Sequence, residues 1–262
     1  MFGQRACPYR KLRFGLVALA WIGFASAAHA EDTKPKLGPR AIPLGQSHQY
    51  LRAHPAPDYW ALAPYYAPQM TNSACSLAAI SMLVNALRGL PGKSTDKLVT
   101  QPALLDAVAS DTWKAETAER GSGITWGELE RYTLASLAAH GLDGEIEVFK
   151  PTHNSPVALA QVRRLLVANE RSDRDIVLVY FNQGVVTGDW DGPHISPIGS
   201  YDAARRRVLI MDVDRQWYVP YWTSDQTLLE AMLRPAPAEH GVLAGETGGL
   251  IRVTLRTRTP TQ

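Results

Sequence analysis

Cys75 stands six residues after Gln69 and opens an apolar run at helical spacing: Leu77, Ala78, Ile80, Leu83, Val84 and Leu87. A helix N-terminus carries partial positive charge and unpaired N–H groups, so it favours a thiolate over a thiol. Gln69 brings a neutral amide whose N–H can donate to a developing oxyanion, and the backbone N–H of Cys75 supplies a second donor. A nucleophile so placed needs a base, commonly a histidine oriented by a carboxylate or amide. The spacing alone leaves a second reading open, a buried cysteine serving as a small hydrophobe.

Seven histidines occur in the chain, and His29 lies in a leader-like segment. His48 and His54 fall among prolines, His140 precedes the helix-ending Gly141, and His153 and His240 sit in loops. His194 differs, because it opens a strand directly after the loop 188–193, where a sheet offers side chains to a cleft. If strands 194–201 and 207–213 form a hairpin turning at Ala203, His194 faces Asp212, Ser196 faces Ile210 and Ile198 faces Val208. A carboxylate within the run Val208-Leu209-Ile210-Met211-Asp212-Val213 is costly to bury unpaired, and an imidazole N–H is a suitable partner. In the competing reading Asp212 ends the strand and caps a turn with Asp214.

The elements that must position these groups are legible in outline. Residues 1–30 read as a cleaved export leader, with a cationic start, an apolar run from Leu16 to Ala28 and the small-x-small end Ala28-His29-Ala30. That predicts a protein exported to the periplasm, with no membrane association after cleavage. Cys7 leaves with the leader, so Cys75 is the remaining thiol and an intrachain disulfide is excluded. Four of the 27 basic residues, Arg5, Arg10, Lys11 and Arg13, also lie there, which leaves no basic excess to attract nucleic acid. Residues 31–59 are proline-rich and read as an extended arm, residues 60–256 as the packed domain and residues 257–262 as a flexible tail.

Within the domain, helices are predicted at 75–88 (capped by Asn72 or Ser73 and ended by Gly89), at 101–110, from a Thr125-x-x-Glu128 capping box to Gly141, at 156–170 and at 224–234. Strands are predicted at 145–149, 175–181, 194–201, 207–213 and 250–255. Helices first and a mostly antiparallel sheet second is the order of an α+β domain.

From about Gln69 to Trp222 the sequence resembles the phytochelatin synthase family of the papain-like cysteine peptidase clan. The resemblance rests on Gln69-x5-Cys75, on Asn85-Ala86-Leu87 and on Gly123-Ile124-Thr125-Trp126-Gly127-Glu128-Leu129. It continues in His194-Ile195-Ser196-Pro197-Ile198-Gly199-Ser200-Tyr201, in 208–215 and in Tyr218-Val219-Pro220-Tyr221-Trp222. It implies a papain-like fold whose helical half carries the nucleophile, with Cys75 as nucleophile, His194 as general acid/base, Asp212 orienting His194, and Gln69 as oxyanion donor. Three departures stand out: Ala74 and Ser76 flank the thiol where the family commonly has tyrosine and glycine, Pro193 precedes the base, and the cysteine-rich extension of the plant enzymes is missing. The last points to the short bacterial type, associated mainly with removing glycine from glutathione.

The implied reaction forms a γ-glutamylcysteinyl thioester on Cys75, passed to water or to a second glutathione. Glutathione is an anion, so a nearby cation is expected; Arg215 is a candidate on position alone, and a solvated surface arginine is the other reading. Tyr218 and Trp222 either wall the pocket or pack the sheet edge. No intrinsic cofactor is expected, cadmium or zinc entering as a thiolate complex of the substrate, and the oligomeric state is not legible. A general papain-like peptidase or amidase, and a non-catalytic thiol- or metal-binding module on the same fold, remain alternatives.

Overall fold

The computed structural model describes residues 34–256, so the expected leader and tail lie outside the described residues. All elements below belong to the compact unit that begins at Pro35. The strands are β1 (Ile42–Pro43), β2 (Gly144–Phe149), β3 (Asp175–Asn182), β4 (Pro193–Asp202), β5 (Arg207–Ile210), β6 (Tyr221–Ser224) and β7 (Gly249–Leu255). The longer helices are α3 (Cys75–Arg88), α4 (Gln101–Val108), α6 (Trp126–Ala139), α7 (Pro156–Asn169) and α9 (Asp225–Leu233), and the short ones are α1 (Gln49–Ala53), α2 (Pro57–Leu62), α5 (Asp111–Glu116) and α8 (Gln183–Thr187). The strands form one sheet in the order β1-β6-β5-β4-β3-β7-β2, with every pair antiparallel. This is the α+β architecture expected from the order of elements.

Period-two alternation decides what each sheet face meets. Along β3, Ile176, Leu178 and Tyr180 pack with α3 and α6, whereas Val177, Val179 and Phe181 pack with α7 and α9. Both faces are therefore covered, and all eight residues of β3 are buried. Local chemistry fixes the helix ends. Thr125 and Glu128 close the predicted capping box, Ser155 and Ser224 cap α7 and α9, and Gly89 ends α3 at φ +76°.

Three expectations need correction. The stretch 31–59 is not a coreless arm where it is described: Ile42–Pro43 pairs with β6, and Tyr50, Leu51 and Ala56 are buried against Leu209 and Trp222. Its apolar residues are too few and too interrupted by proline to show a period. The helix α3 is not capped by Asn72 or Ser73; its N-cap is Ala74 with no side-chain bond, and the Ser73 hydroxyl donates to the Gly121 carbonyl at 2.6 Å.

The hairpin register also differs. The observed pairs are Asp202↔Arg207, Tyr201↔Val208, Ser200↔Leu209 and Ile198↔Ile210, with an irregularity at Gly199 between the last two. A Cβ at Gly199 would lie 2.9 Å from the Met211 side chain, which would have to shift to admit it. His194 pairs across the sheet with Phe181 of β3, and β5 ends at Ile210, two residues before Asp212.

Trp222 is fully buried, donates its indole N–H to Ser47 O at 2.8 Å and lies edge-on to Tyr50 at 5.8 Å. Trp222→Ala is expected to cost about 3–5 kcal/mol of unfolding free energy in a urea titration. A loss below about 1 kcal/mol would show that residues 42–56 do not depend on it.

Candidate active site

The N-terminus of α3, the start of β4 and the chain just past β5 meet at a cleft of about 560 Å³ lined by Gln69, Cys75, Ile124, His194, Asp214 and Trp217, among others. Cys75 is a free, half-buried thiol at the first position of α3. No side chain caps that end, so it presents the partial positive charge of a helix N-terminus beside the thiol. Ser76, one of the two departures from the family beside the thiol, is buried and accepts the Trp113 indole N–H at 3.2 Å. Ala74 is buried too, so neither flanking residue lines the cleft.

His194 is buried, with Nε2 2.9 Å from Asp212 Oδ1. The Cys75 side chain is the other group that acts on the ring, and with Nε2 on Asp212 this leaves Nδ1 as the nitrogen for sulfur. Burial by itself lowers the affinity of the ring for its proton, but the Asp212 carboxylate and Cys75 outweigh it and hold the imidazole well above its usual range.

Asp212 has no exposed surface. Its Oδ1 accepts from His194 and from the Asp214 N–H at 2.9 Å, and its Oδ2 accepts from Gln183 Nε2 and Tyr221 Oη, each at 2.7 Å. Burial pushes the carboxyl up, whereas His194, Tyr221 and the Asp214 N–H pull it down, and the balance lies below the usual carboxylate range. Tyr221, raised well above an ordinary phenol by burial and by Asp212, stays protonated as a donor.

The expected contact between His194 and Asp212 is thus present, reached by a different path. Past β5 the chain continues beside β4 through Met211 N–H to Pro197 O (3.0 Å) and Val213 N–H to Ser196 Oγ (3.3 Å). Gln69 is tied to the same segment, its N–H donating to Val213 O at 2.9 Å, and its side chain reaches the cleft. Its Oε1 is buried without a hydrogen-bond partner.

The structure brings Gln69, Cys75, His194 and Asp212 together, keeps Tyr218 on the cleft wall and turns Arg215 and Trp222 elsewhere. Tyr218 lines the cleft and donates to Asp189 Oδ2 at 2.9 Å. Arg215 does not line it: the guanidinium lies 4.4 Å from the Tyr66 ring centre and donates to Tyr66 O. Trp222 packs the sheet, as described above. Among the described residues, the lysine on the cleft wall is Lys36, which lies in the segment that the sequence predicts as an arm. Gln183 and Tyr221 were also missed as partners of Asp212, since a lone glutamine after a strand and a tyrosine beside proline carry no periodic signal. Among the described residues, no group of three or more His, Cys, Asp or Glu side chains is placed to hold a metal ion, and no helix is long and apolar enough to cross a membrane.

A family profile described as phytochelatin synthase matches residues 46–240. Glutathione gamma-glutamylcysteinyltransferase 1 of Arabidopsis thaliana is 28% identical over 174 residues, covering 66% of this chain and 33% of that protein. Glutathione gamma-glutamylcysteinyltransferase of Schizosaccharomyces pombe is 24% identical over 178 residues, covering 67% of this chain and 39% of that protein. The chain therefore spans about a third of the length of the curated relatives it matches.

The two shifts fix the sign of a pH dependence. His194 holds its proton more tightly folded than unfolded, so its share of stability is complete below the unfolded value of 6.5 and is lost as pH rises through the higher folded one. The Asp212 share is complete above 3.8 and is lost as pH falls through the lower folded value. The unfolding free-energy gap between wild type and Asp212→Asn, measured by urea titration, is expected to be widest between these two unfolded values and to narrow at alkaline pH. A gap that does not narrow as pH rises from that range to alkaline values would mean that the pair is neutral.

Proposed function

The chain belongs to the phytochelatin synthase family, and on that footing we propose that it is a cysteine acyltransferase/peptidase that removes glycine from glutathione. The observation that carries this reading is the buried His194–Asp212 pair with Cys75 as the ring's second partner at the mouth of one cleft. The names of its relatives add the substrate, since those proteins are glutathione gamma-glutamylcysteinyltransferases.

In the first step the Cys75 thiolate, whose proton His194 holds on Nδ1, attacks the carbonyl carbon of the cysteinyl-glycine bond. Negative charge collects on the carbonyl oxygen, where the Cys75 N–H and the Gln69 side-chain amide are the candidate donors. Collapse breaks the C–N bond, and glycine leaves as an amine with the proton returned by His194. A γ-glutamylcysteinyl thioester remains on Cys75. His194 then takes a proton from water, giving γ-glutamylcysteine, or from the amine of a second glutathione, giving a phytochelatin dimer. Asp212 holds the ring and stabilises its charged form throughout, without taking the proton.

Cadmium or zinc enters this scheme as a thiolate complex of the acceptor substrate. We also propose that residues 1–30 form a cleaved leader that sends the enzyme to the periplasm, which N-terminal sequencing and fractionation of the protein from its source cells would check.

Incubation with glutathione is expected to release glycine and to leave an adduct of γ-glutamylcysteinyl mass on the peptide containing Cys75. Cys75→Ser and His194→Ala are expected to abolish turnover while remaining folded by circular dichroism, and Gln69→Ala to lower kcat by about 10²–10³-fold. Faster cleavage of unrelated short peptides than of glutathione would turn the reading toward a general peptidase. A folded wild-type protein inert toward all of them would turn it toward a binding module.

A further inference from the structure

Lys36 lies ahead of residues 46–240, the span that matches the family profile, yet it lines the same cleft as Cys75 and His194. Its ammonium is held by three contacts: it pairs with Asp189 and lies 4.5 Å from the Tyr218 ring centre and 4.8 Å from that of Trp217. Asp189 is itself fixed by the Tyr218 hydroxyl. The segment that carries Lys36 is tied down by the Gly38 N–H, which donates to Thr187 O at 2.7 Å. A Cβ at Gly38 would lie 2.9 Å from that oxygen, so the close approach requires glycine.

These contacts fix a cation at one place on the wall while its side chain stays 45% exposed. An ammonium has three donors, and the Asp189 contact occupies one. Among the described residues, the other basic side chains on this wall are the histidines His194 and His240. The first is committed to Asp212, and the second donates from Nε2 to Asp191 O at 2.9 Å.

A lysine with an aspartate beside it offers opposite charges side by side, the complement of an α-amino acid zwitterion. Glutathione carries such a zwitterion at its γ-glutamyl end, whereas its glycine end has a carboxylate alone. Resting on the proposed glutathione reaction, we infer that Lys36 is the specificity residue that binds the α-carboxylate of the γ-glutamyl group, with Asp189 holding it in place. That group stays on the enzyme in the thioester, so the same contact serves both half-reactions, whereas a contact to glycine would serve only the first.

Calorimetric binding to the Cys75→Ser protein tests this without turnover, and thus apart from the reaction itself. The probes are glutathione and 4-aminobutyryl-cysteinylglycine, which lacks only the α-carboxylate. Glutathione is expected to bind about tenfold or more tightly than the analogue. Adding Lys36→Met should raise the Kd of glutathione to that of the analogue and leave the analogue unchanged, and Lys36→Arg should restore most of the preference. The inference is overturned if Lys36→Met weakens both ligands equally, if the two bind alike before substitution, or if neither binds. Glycine release by the wild type is scored separately: its absence with the lysine-dependent preference intact would sink the reaction and leave the site.

Discussion

A carboxylate with no exposed surface costs several kcal/mol unless its lone pairs are met, and Asp212 meets that demand with donors from separate parts of the fold. They are His194 at the start of β4, Gln183 at the start of α8, Tyr221 in β6 and the Asp214 backbone. Three of these donors are uncharged, so charge compensation falls on His194 alone. The arrangement therefore makes the imidazole the natural holder of the proton and fixes which ring nitrogen faces sulfur. Because β6 pairs with β5, β5 with β4 and β4 with β3, the antiparallel sheet decides that these donors converge.

The same segment couples the acid to the other half of the site. The Tyr66 hydroxyl donates to Asp212 O at 2.5 Å, and the Gln69 N–H donates to Val213 O. Residues 66–69 lead into the turn before α3, so the backbone that places Asp212 also sets the approach to Cys75. A tight bend behind the thiol completes it, with Thr71 Oγ1 donating to Thr117 O and Ser73 Oγ to Gly121 O. Spending those hydroxyls there leaves the end of α3 uncapped by side chains, which suits a helix terminus that must receive developing negative charge.

Much of this was legible in the sequence, for reasons that differ from element to element. The helix α3 has an apolar period ending in glycine, and its observed limits coincide with those predicted; α6 shows its capping box as four letters. The pairing of His194 with Asp212 was also legible, although the register proposed for it was wrong. The hairpin turns through residues 203–206 and sets Asp202 opposite Arg207 instead of centring on Ala203, and the irregularity at Gly199 then shifts the pairing once more. Burial energetics led to the right partner where strand arithmetic did not, because an acid inside an apolar run must be paired however the ladder is aligned. Arg215 and Trp222 show the converse. Proximity along the chain to Asp212 says nothing about direction, and these two side chains turn to Tyr66 and Ser47.

The cleft divides into a part that cannot vary independently and a part that can. Ala74 and Ser76 depart from the residues common in the family, yet both are buried away from the cleft, and Ser76 is bound to Trp113. Changes there adjust how α3 seats on α5 and α6, not what the thiol meets. The opposite wall, made by Lys36, Asp189, Trp190, Trp217 and Tyr218, meets the Asp212 network through the backbone, where the Trp217 and Tyr218 N–H groups donate to Asp214 O at 2.9 Å, while the side chains of Lys36, Asp189 and Tyr218 bond to one another. Its residues come from loops and from the segment preceding β1, where side chains can change without moving a strand. A fold of this design can keep one acylation chemistry while exchanging the groups that choose its acyl donor. The region of the chain to compare for differences in substrate is therefore that wall, and not the neighbours of the nucleophile.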